Sequence, residues 1–302
     1  EEGWQTYEWR RQIPEIPICR FALPQWDGQS HPDKVLLLHA EQGLGDSLQF
    51  IRFASFARQR VGRLVFLCHP PLLRLFSRVP GIDALVPLGE PPPPCDMHLP
   101  LLSLPWVLGA VSSELGCRTP YLSPEPALVE AFAMRLSSIP RPRVGICWQG
   151  NPSYRDDKNR SIPVRHFLPL LEAGVELVSV QKNHGLEQLA CADPEGRVLN
   201  LGPALDLERG AFVDTAAVLA NLDLLITSDT AMPHLAGALG VPVWCLLPHV
   251  PDWRWGLKGD RTPWYPTMRL FRQTRPGDWD GVFASVRTAL ASLRGSAQGA
   301  KT

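Results

Sequence analysis

The side chains best equipped for chemistry in this chain stand in short clusters, each directly behind an apolar run. In one, Leu222–Thr227 leads into Ser228-Asp229-Thr230, and the small-residue segment Ala231–Leu239 follows, with His234 one helical turn on. A carboxylate, a hydroxyl and an imidazole thus gather at the carboxyl end of a strand. A helix starting at Ala231 turns unpaired N–H groups and partial positive charge toward that end, which suits an anion such as a phosphate. The plainer use of the same residues is capping by Ser228 or Asp229, with His234 on the surface.

A second cluster, Glu41-Gln42-Gly43-Leu44-Gly45-Asp46-Ser47, follows the run Val35–His39. Gly43 and Gly45 let the backbone turn tightly or approach a ligand, and Asp46 opens a helix. The third glycine of a dinucleotide fingerprint is missing, because Leu48 stands in its place, and no Walker lysine follows. Asp46 reads either as a cap or as a carboxylate that takes a proton from an acceptor hydroxyl.

Three further stretches carry weaker signals. Gln149–Ser161 holds Arg155, Lys158 and Arg160 beside Asp156 and Asp157. Such a charge-mixed loop is either solvated surface or, through Lys158 and Arg160, a means to neutralise a diphosphate. Gln181 and Lys182, behind Val175–Val180, offer hydrogen-bonding groups for a ribose or base edge, or simply an exposed loop. Pro251–Trp255 with Trp264-Tyr265 presents aromatic planes and an Arg that either grip a sugar face or pack against one another. Asp278-Trp279-Asp280 has a metal-binding D-x-D spacing, but at a helix start, where capping is the better reading. No H-E-x-x-H, G-x-S-x-G or Cys/His metal spacing occurs, so no metal or cofactor is expected.

The elements that must position these clusters alternate in an α/β rhythm. Strands are expected at Val35–His39, Leu64–Cys68 and Ala84–Leu88, with helices at Asp46–Arg60, Leu72–Arg78 and Ala127–Leu136. Met97–Leu104 and Trp106–Leu115 are ambiguous. Beyond Pro140-Arg141-Pro142 the rhythm restarts, with strands at Val144–Trp148, Val175–Val180, Val198–Leu201, Leu222–Thr227, Val241–Leu247 and Met268–Phe271. The reading is two doubly wound α/β domains facing a central cleft: 31–140 and 141–277, preceded by a helical stub and linker at 1–30 and closed by a helix and tail at 278–302. Trp4, Tyr7 and Arg11 in the stub need something to dock on, either the following domain or an upstream partner.

Composition removes other classes. In 302 residues, 30 basic side chains balance 30 acidic ones, so no net field favours nucleic acid. No apolar run reaches the ~20 residues that span a bilayer. The seven Cys are scattered without a C-x-x-C pair, as expected of thiols in a reducing, cytoplasmic compartment. The chain starts without Met and without a signal peptide, as a trimmed one does.

With these residues on the page, the sequence resembles the ADP-heptose:lipopolysaccharide heptosyltransferases, glycosyltransferase family 9. The resemblance rests on D-T-x-x-x-H at Asp229, Thr230 and His234, G-x-G-D at Gly43–Asp46 and R-D-D-K at Arg155–Lys158. It implies a GT-B fold, a nucleotide-sugar donor in the C-terminal half, a glycan or protein acceptor in the N-terminal half, and inverting transfer without a metal. It further implies Asp46 as general base, Lys158 as phosphate ligand, and Asp229, Thr230 and His234 as the donor motif, with Ser228, Ala231, Arg160, Gly43 and Gly45 around them. The chain departs from the family at Ala231, where Gly is usual, and at Gln181, where a donor-contacting Glu is usual. Trp4–Arg10, Leu38–Gly45 and Trp253–Phe271 also resemble the transferase portion of bacterial tetratricopeptide-repeat proteins, some of which modify proteins such as flagellin. On that resemblance the stub ends a repeat array, and peripheral association with the inner face of the membrane is open to the protein. A sugar-nucleotide epimerase and a non-catalytic binding or scaffold domain are the alternative readings.

Overall fold

The computed structural model is described for residues 2–14, 19–109 and 118–299, with side chains through residue 292. Part of the ambiguous stretch 106–115 and part of the linker within 1–30 lie outside the described residues. The chain divides into two compact units, one of residues 1–124 and 206–213, the other of 125–205 and 214–302.

The first unit is built on a four-stranded parallel sheet of β1 (His31–His39), β2 (Val61–Cys68), β3 (Ala84–Pro87) and β4 (Met97–Pro100), in the order β3-β2-β1-β4. Parallel strands are covered on both faces, and the unbroken run Leu36-Leu37-Leu38 in β1 is fully buried accordingly. Leu37, Val65 and Leu67 form the core on one face, packed under Phe21, Leu23 and Val86. The helix expected over Asp46–Arg60 is interrupted: α-turns at Leu44–Phe50 and Ala54–Arg58 flank a 3-10 turn at Ile51–Phe53. The stub is part of this unit. Its helix Glu2–Tyr7 and 3-10 turn Glu8–Gln12 dock on the following domain, with the Trp4 ring edge-on to Phe50 at 5.9 Å. Asp206–Val213 also belongs here, fastened by the Ala211 N–H to the Pro71 carbonyl at 2.8 Å.

The second unit carries β5 (Arg143–Cys147), β6 (Glu176–Ser179), β7 (Leu199–Asn200), β8 (Leu224–Ser228), β9 (Val243–Leu247) and β10 (Met268–Arg272). All are parallel, in the order β10-β9-β8-β5-β6-β7. Counted within the unit this is 6-5-4-1-2-3, the dinucleotide-binding arrangement, whose order reverses between β5 and β8. Ligands settle outside the carboxyl ends at such a reversal. The core gathers Ile146, Ile226, Trp244 and Leu246 from the strands with Trp148, Phe167 and Phe283. Two segments grouped elsewhere by the sequence reading sit in this unit. The helix Pro126–Arg135 is tied in by Asn221, whose Nδ2 donates to the Val129 carbonyl (2.9 Å), so Pro140–Pro142 falls inside the unit. The last helix, Trp279–Gly299, packs Phe283 edge-on against Phe167 at 4.8 Å, and Asp278 caps it by accepting the Gly281 N–H (3.0 Å). Among the described residues no helix is long and apolar enough to cross a membrane.

Candidate functional site

At the reversal point the loops behind β5 and β8 converge on Gly150. A Cβ built there would lie 2.7 Å from Arg160 Nη2, 2.7 Å from Asp157 Oδ1 and 3.2 Å from Thr230 Cγ2. Only glycine leaves that space open. Thr230 is the N-cap of the helix Ala231–Ala238, its Oγ1 accepting the Met232 N–H at 3.3 Å. Pro233 has no N–H, so Ala231 supplies the first-turn donor that neither cap nor ring removes. A helix N-cap and a guanidinium paired to Asp157 thus meet around one glycine, an arrangement that suits an anion.

Of the two cations expected on this stretch, Arg160 lies at Gly150. Residues 157–160 form a short helical turn in which Asp157 is buried and accepts from Ser161 Oγ (2.8 Å) and Arg160 Nε (3.1 Å). That pairing, and the Tyr154 ring 4.3 Å beneath the guanidinium, hold Arg160 toward Gly150. Lys158 and Arg155, on the same stretch, are exposed.

Behind the seat lies a buried aromatic nest. His234 Nδ1 shares a 2.9 Å hydrogen bond with Tyr265 Oη, and its ring stacks on Trp255 at 5.2 Å and 18°. Tyr265 reaches His234 because residue 237 is glycine: a Cβ there would come within 2.3 Å of the Tyr265 ring. Asp229, 8% exposed, has its carboxyl pushed up to about 6. Burial is the main cause; the nearby Asp252 adds to it, while the Trp255 indole, Arg160 and Arg254 oppose it. The indole N–H of Trp255 faces this carboxylate but completes no hydrogen bond of normal geometry, and Ser228 Oγ is likewise buried with no partner among the described residues. His234, expected either at a ligand or on the surface, is a buried residue fixed on two sides.

Gln181 does not serve as expected. It is 1% exposed, and its side chain is consumed by backbone. Its Oε1 accepts from the Trp148 and Gln149 N–H groups (2.9 and 3.0 Å), and its Nε2 donates to the Gln149 and His184 carbonyls (2.9 and 2.8 Å). It stitches the loop behind β5 to the one behind β6 and offers no group to a ribose. The aromatic loop after β9 divides in two. Trp255 and Tyr265 are interior, whereas Trp253 is half exposed, with Arg254 over its ring at 4.8 Å and Trp264 edge-on at 6.4 Å.

In the first unit, Asp46 is half-buried at the third position of the helix Leu44–Phe50, and its Oδ2 accepts the Gly43 N–H at 2.8 Å. Gly43 is the N-cap, and Gly45 lies inside the first turn. Asp46 is thus not the N-cap itself: from the third position one of its oxygens accepts the N-cap N–H, the half of a capping box that a glycine allows, and the carboxylate still meets solvent. His69, at the end of β2, senses it. Burial lowers the imidazole's pKa, and the Asp46 charge raises it.

The sequence reading missed Gly150, Gly237 and Trp255's stacking on His234. Gly150 had one local signal, a glycine directly behind the first strand of a unit. Among the described residues no group of three His, Cys, Asp or Glu side chains is arranged to hold a metal ion.

Solved structures with the GT-B fold share this architecture. The chain superposes on a family 9 glycosyl transferase from Veillonella parvula with a TM-score of 0.63 at 12% identity, covering 87% of this chain and 99% of that one. For E. coli ADP-heptose lps heptosyltransferase II the values are 0.56 and 15%, over 86% and 99%. For E. coli heptosyltransferase WaaC with ADP they are 0.55 and 14%, over 85% and 99%. The chain thus has the α/β GT-B fold of two Rossmann-like units. No family model matches the sequence. Among curated proteins it is 28% identical over 318 residues to Protein FlbA of Caulobacter vibrioides, across 98% of this chain and 53% of that protein. The chain therefore spans about half the length of the curated relative it matches.

Proposed function

We propose that this chain is an inverting, metal-independent glycosyltransferase that moves a sugar from a nucleoside-diphosphate donor to a hydroxyl of a glycan or protein. The observation that carries the reading is the convergence of Gly150, Arg160 and the Thr230–Ala231 helix start at the order reversal of the second sheet. The donor's diphosphate rests on the Ala231 N–H and on Arg160, with Lys158 free to swing in from solvent and Ser228, Asp229 and His234 walling the seat. Asp46 removes the proton from the acceptor hydroxyl as its oxygen attacks the anomeric carbon. The bond from that carbon to the diphosphate oxygen breaks on the opposite face, and the nucleoside diphosphate leaves with its charge met by Arg160. ADP is the first nucleotide to try, because the structural neighbour WaaC holds it. The extra length of the curated relative is compatible with an upstream repeat array, and the protein works in the cytoplasm or at the inner face of the membrane.

A thermal-shift and calorimetric screen of ADP, UDP, GDP and CMP tests the donor seat. One nucleoside diphosphate is expected to bind, and Arg160→Ala to weaken it about tenfold or more. Absence of binding by all four overturns the reading in favour of a scaffold role. Conversion of a nucleotide sugar alone into its epimer, seen by NMR, overturns it in favour of an epimerase.

A further inference from the structure

The segment ahead of β1 touches the Asp46 loop at three points, all within the first unit. Arg10 is 4% exposed, and all five of its N–H donors are committed. Nε and Nη2 fork onto the two oxygens of Glu41 (3.0 and 2.8 Å), and Nη2 also reaches Ser103 Oγ (2.8 Å). Nη1 donates to Glu8 Oε1 (2.7 Å) and to the Tyr7 carbonyl (3.2 Å). Glu41, 2% exposed, accepts in addition from the Leu102 N–H at 3.1 Å. The next residue, Gln42, has φ +59°, a left-handed conformation that a side chain with a Cβ adopts only where its surroundings impose it. Its Nε2 donates to Tyr7 Oη at 3.1 Å. Trp4 meets Phe50 at the far end of the same helix. Asp46 stands between these fixed points.

We propose that Tyr7 and Arg10 are positioning residues for Asp46. They clamp Glu41 and Gln42 so that the chain leaves β1 through the left-handed turn from which Gly43 and the helix Leu44–Phe50 aim the carboxylate. The N-terminal segment is then a working part of the acceptor-side machinery. The proposal rests on the reading of Asp46 as base. Because a misplacement of about 1 Å at a reacting group costs on the order of 10²-fold in rate, small losses of the clamp are readable in kcat.

The experiment compares Tyr7→Phe, Arg10→Lys and Asp46→Asn in the full chain, using the nucleotide sugar identified by the screen above. Tyr7→Phe deletes one oxygen and keeps the ring, which also lies against the Arg10 guanidinium at 4.7 Å. Expected are a fall in kcat of about tenfold for Tyr7→Phe and more for Arg10→Lys, an altered acidic limb of the kcat–pH profile, and unchanged nucleotide affinity by calorimetry. If Arg10→Lys does not fold, Tyr7→Phe alone decides. Kcat within twofold of wild type for the clamp variants, with Asp46→Asn inactive, overturns the positioning role and leaves the base assignment standing. Clamp variants that lose nucleotide affinity and melting temperature in step with kcat also overturn it, since that is general destabilisation. Full activity of Asp46→Asn overturns the base reading and this proposal with it.

Discussion

Two of the aspartates that stand where a parallel strand hands over to a helix have opposite surroundings. Asp229, behind β8, is buried in an aromatic nest with its carboxyl raised to about 6. Asp46, behind β1, accepts a backbone N–H and stays half open to solvent. An acid walled in beside a helix N-terminus shapes a seat for an anion, whereas one at an open loop can exchange protons with an incoming hydroxyl. Under the proposed function, holding the donor falls to the second unit and proton transfer to the first, and each half can be broken separately.

The largest effect is expected at Asp46. Asp46→Ala should lower the transfer rate about 10²–10⁴-fold while nucleotide affinity, measured by calorimetry, stays at the wild-type value. Loss of both together would erase the division of labour. Next comes the pH dependence of Asp229. A carboxyl whose folded pKa is about 6, above its ordinary 3.8, binds its proton more tightly folded than unfolded. Its stabilising contribution is therefore complete below about pH 4 and lost as pH rises through 6, a change of about 3 kcal/mol at most. Melting curves of wild type and Asp229→Asn between pH 4 and 8 should converge at the acid end. The Asn variant should be the more stable at pH 8, and equal stability there would mean the acid is not strained by burial. Gly237→Ala drives a methyl into the Tyr265 ring and should cost about 1–3 kcal/mol by denaturant titration, through the nest that holds His234. The smallest effect is at Gly150→Ala. Its Cβ displaces Arg160, so nucleotide affinity, measured by calorimetry, should fall about tenfold, about 1.4 kcal/mol.

What the sequence disclosed was local. Apolar runs ending in Gly43–Asp46 and Ser228–Thr230 announced strand ends and helix starts; the second helix starts at Ala231 as expected, the first two residues early, at Leu44. Pairings between distant residues left no such mark. Tyr265 and His234 are 31 positions apart, and so are Arg10 and Glu41, with nothing in either neighbourhood to couple them. Gln181 shows the opposite failure. A polar residue at a strand end suggests a ligand, yet this one satisfies two backbone loops, which only the packed sheet reveals. The broken helix over residues 44–58 escaped because its apolar spacing suits an unbroken one equally well.

The excursion of Asp206–Val213 into the first unit has a practical consequence for dissecting the protein. The backbone passes from one unit to the other three times, after residues 124, 205 and 213. Neither unit is a continuous stretch of sequence, so no single cut separates them. A fragment ending at Pro124 leaves the Pro71 carbonyl without the Ala211 N–H, and one beginning at Glu125 carries eight foreign residues in its middle. Expressing the second half alone calls for excising 206–213 and rejoining the ends, and expressing the first calls for grafting 206–213 onto it. Ligand-binding measurements on the halves are meaningful only after that surgery.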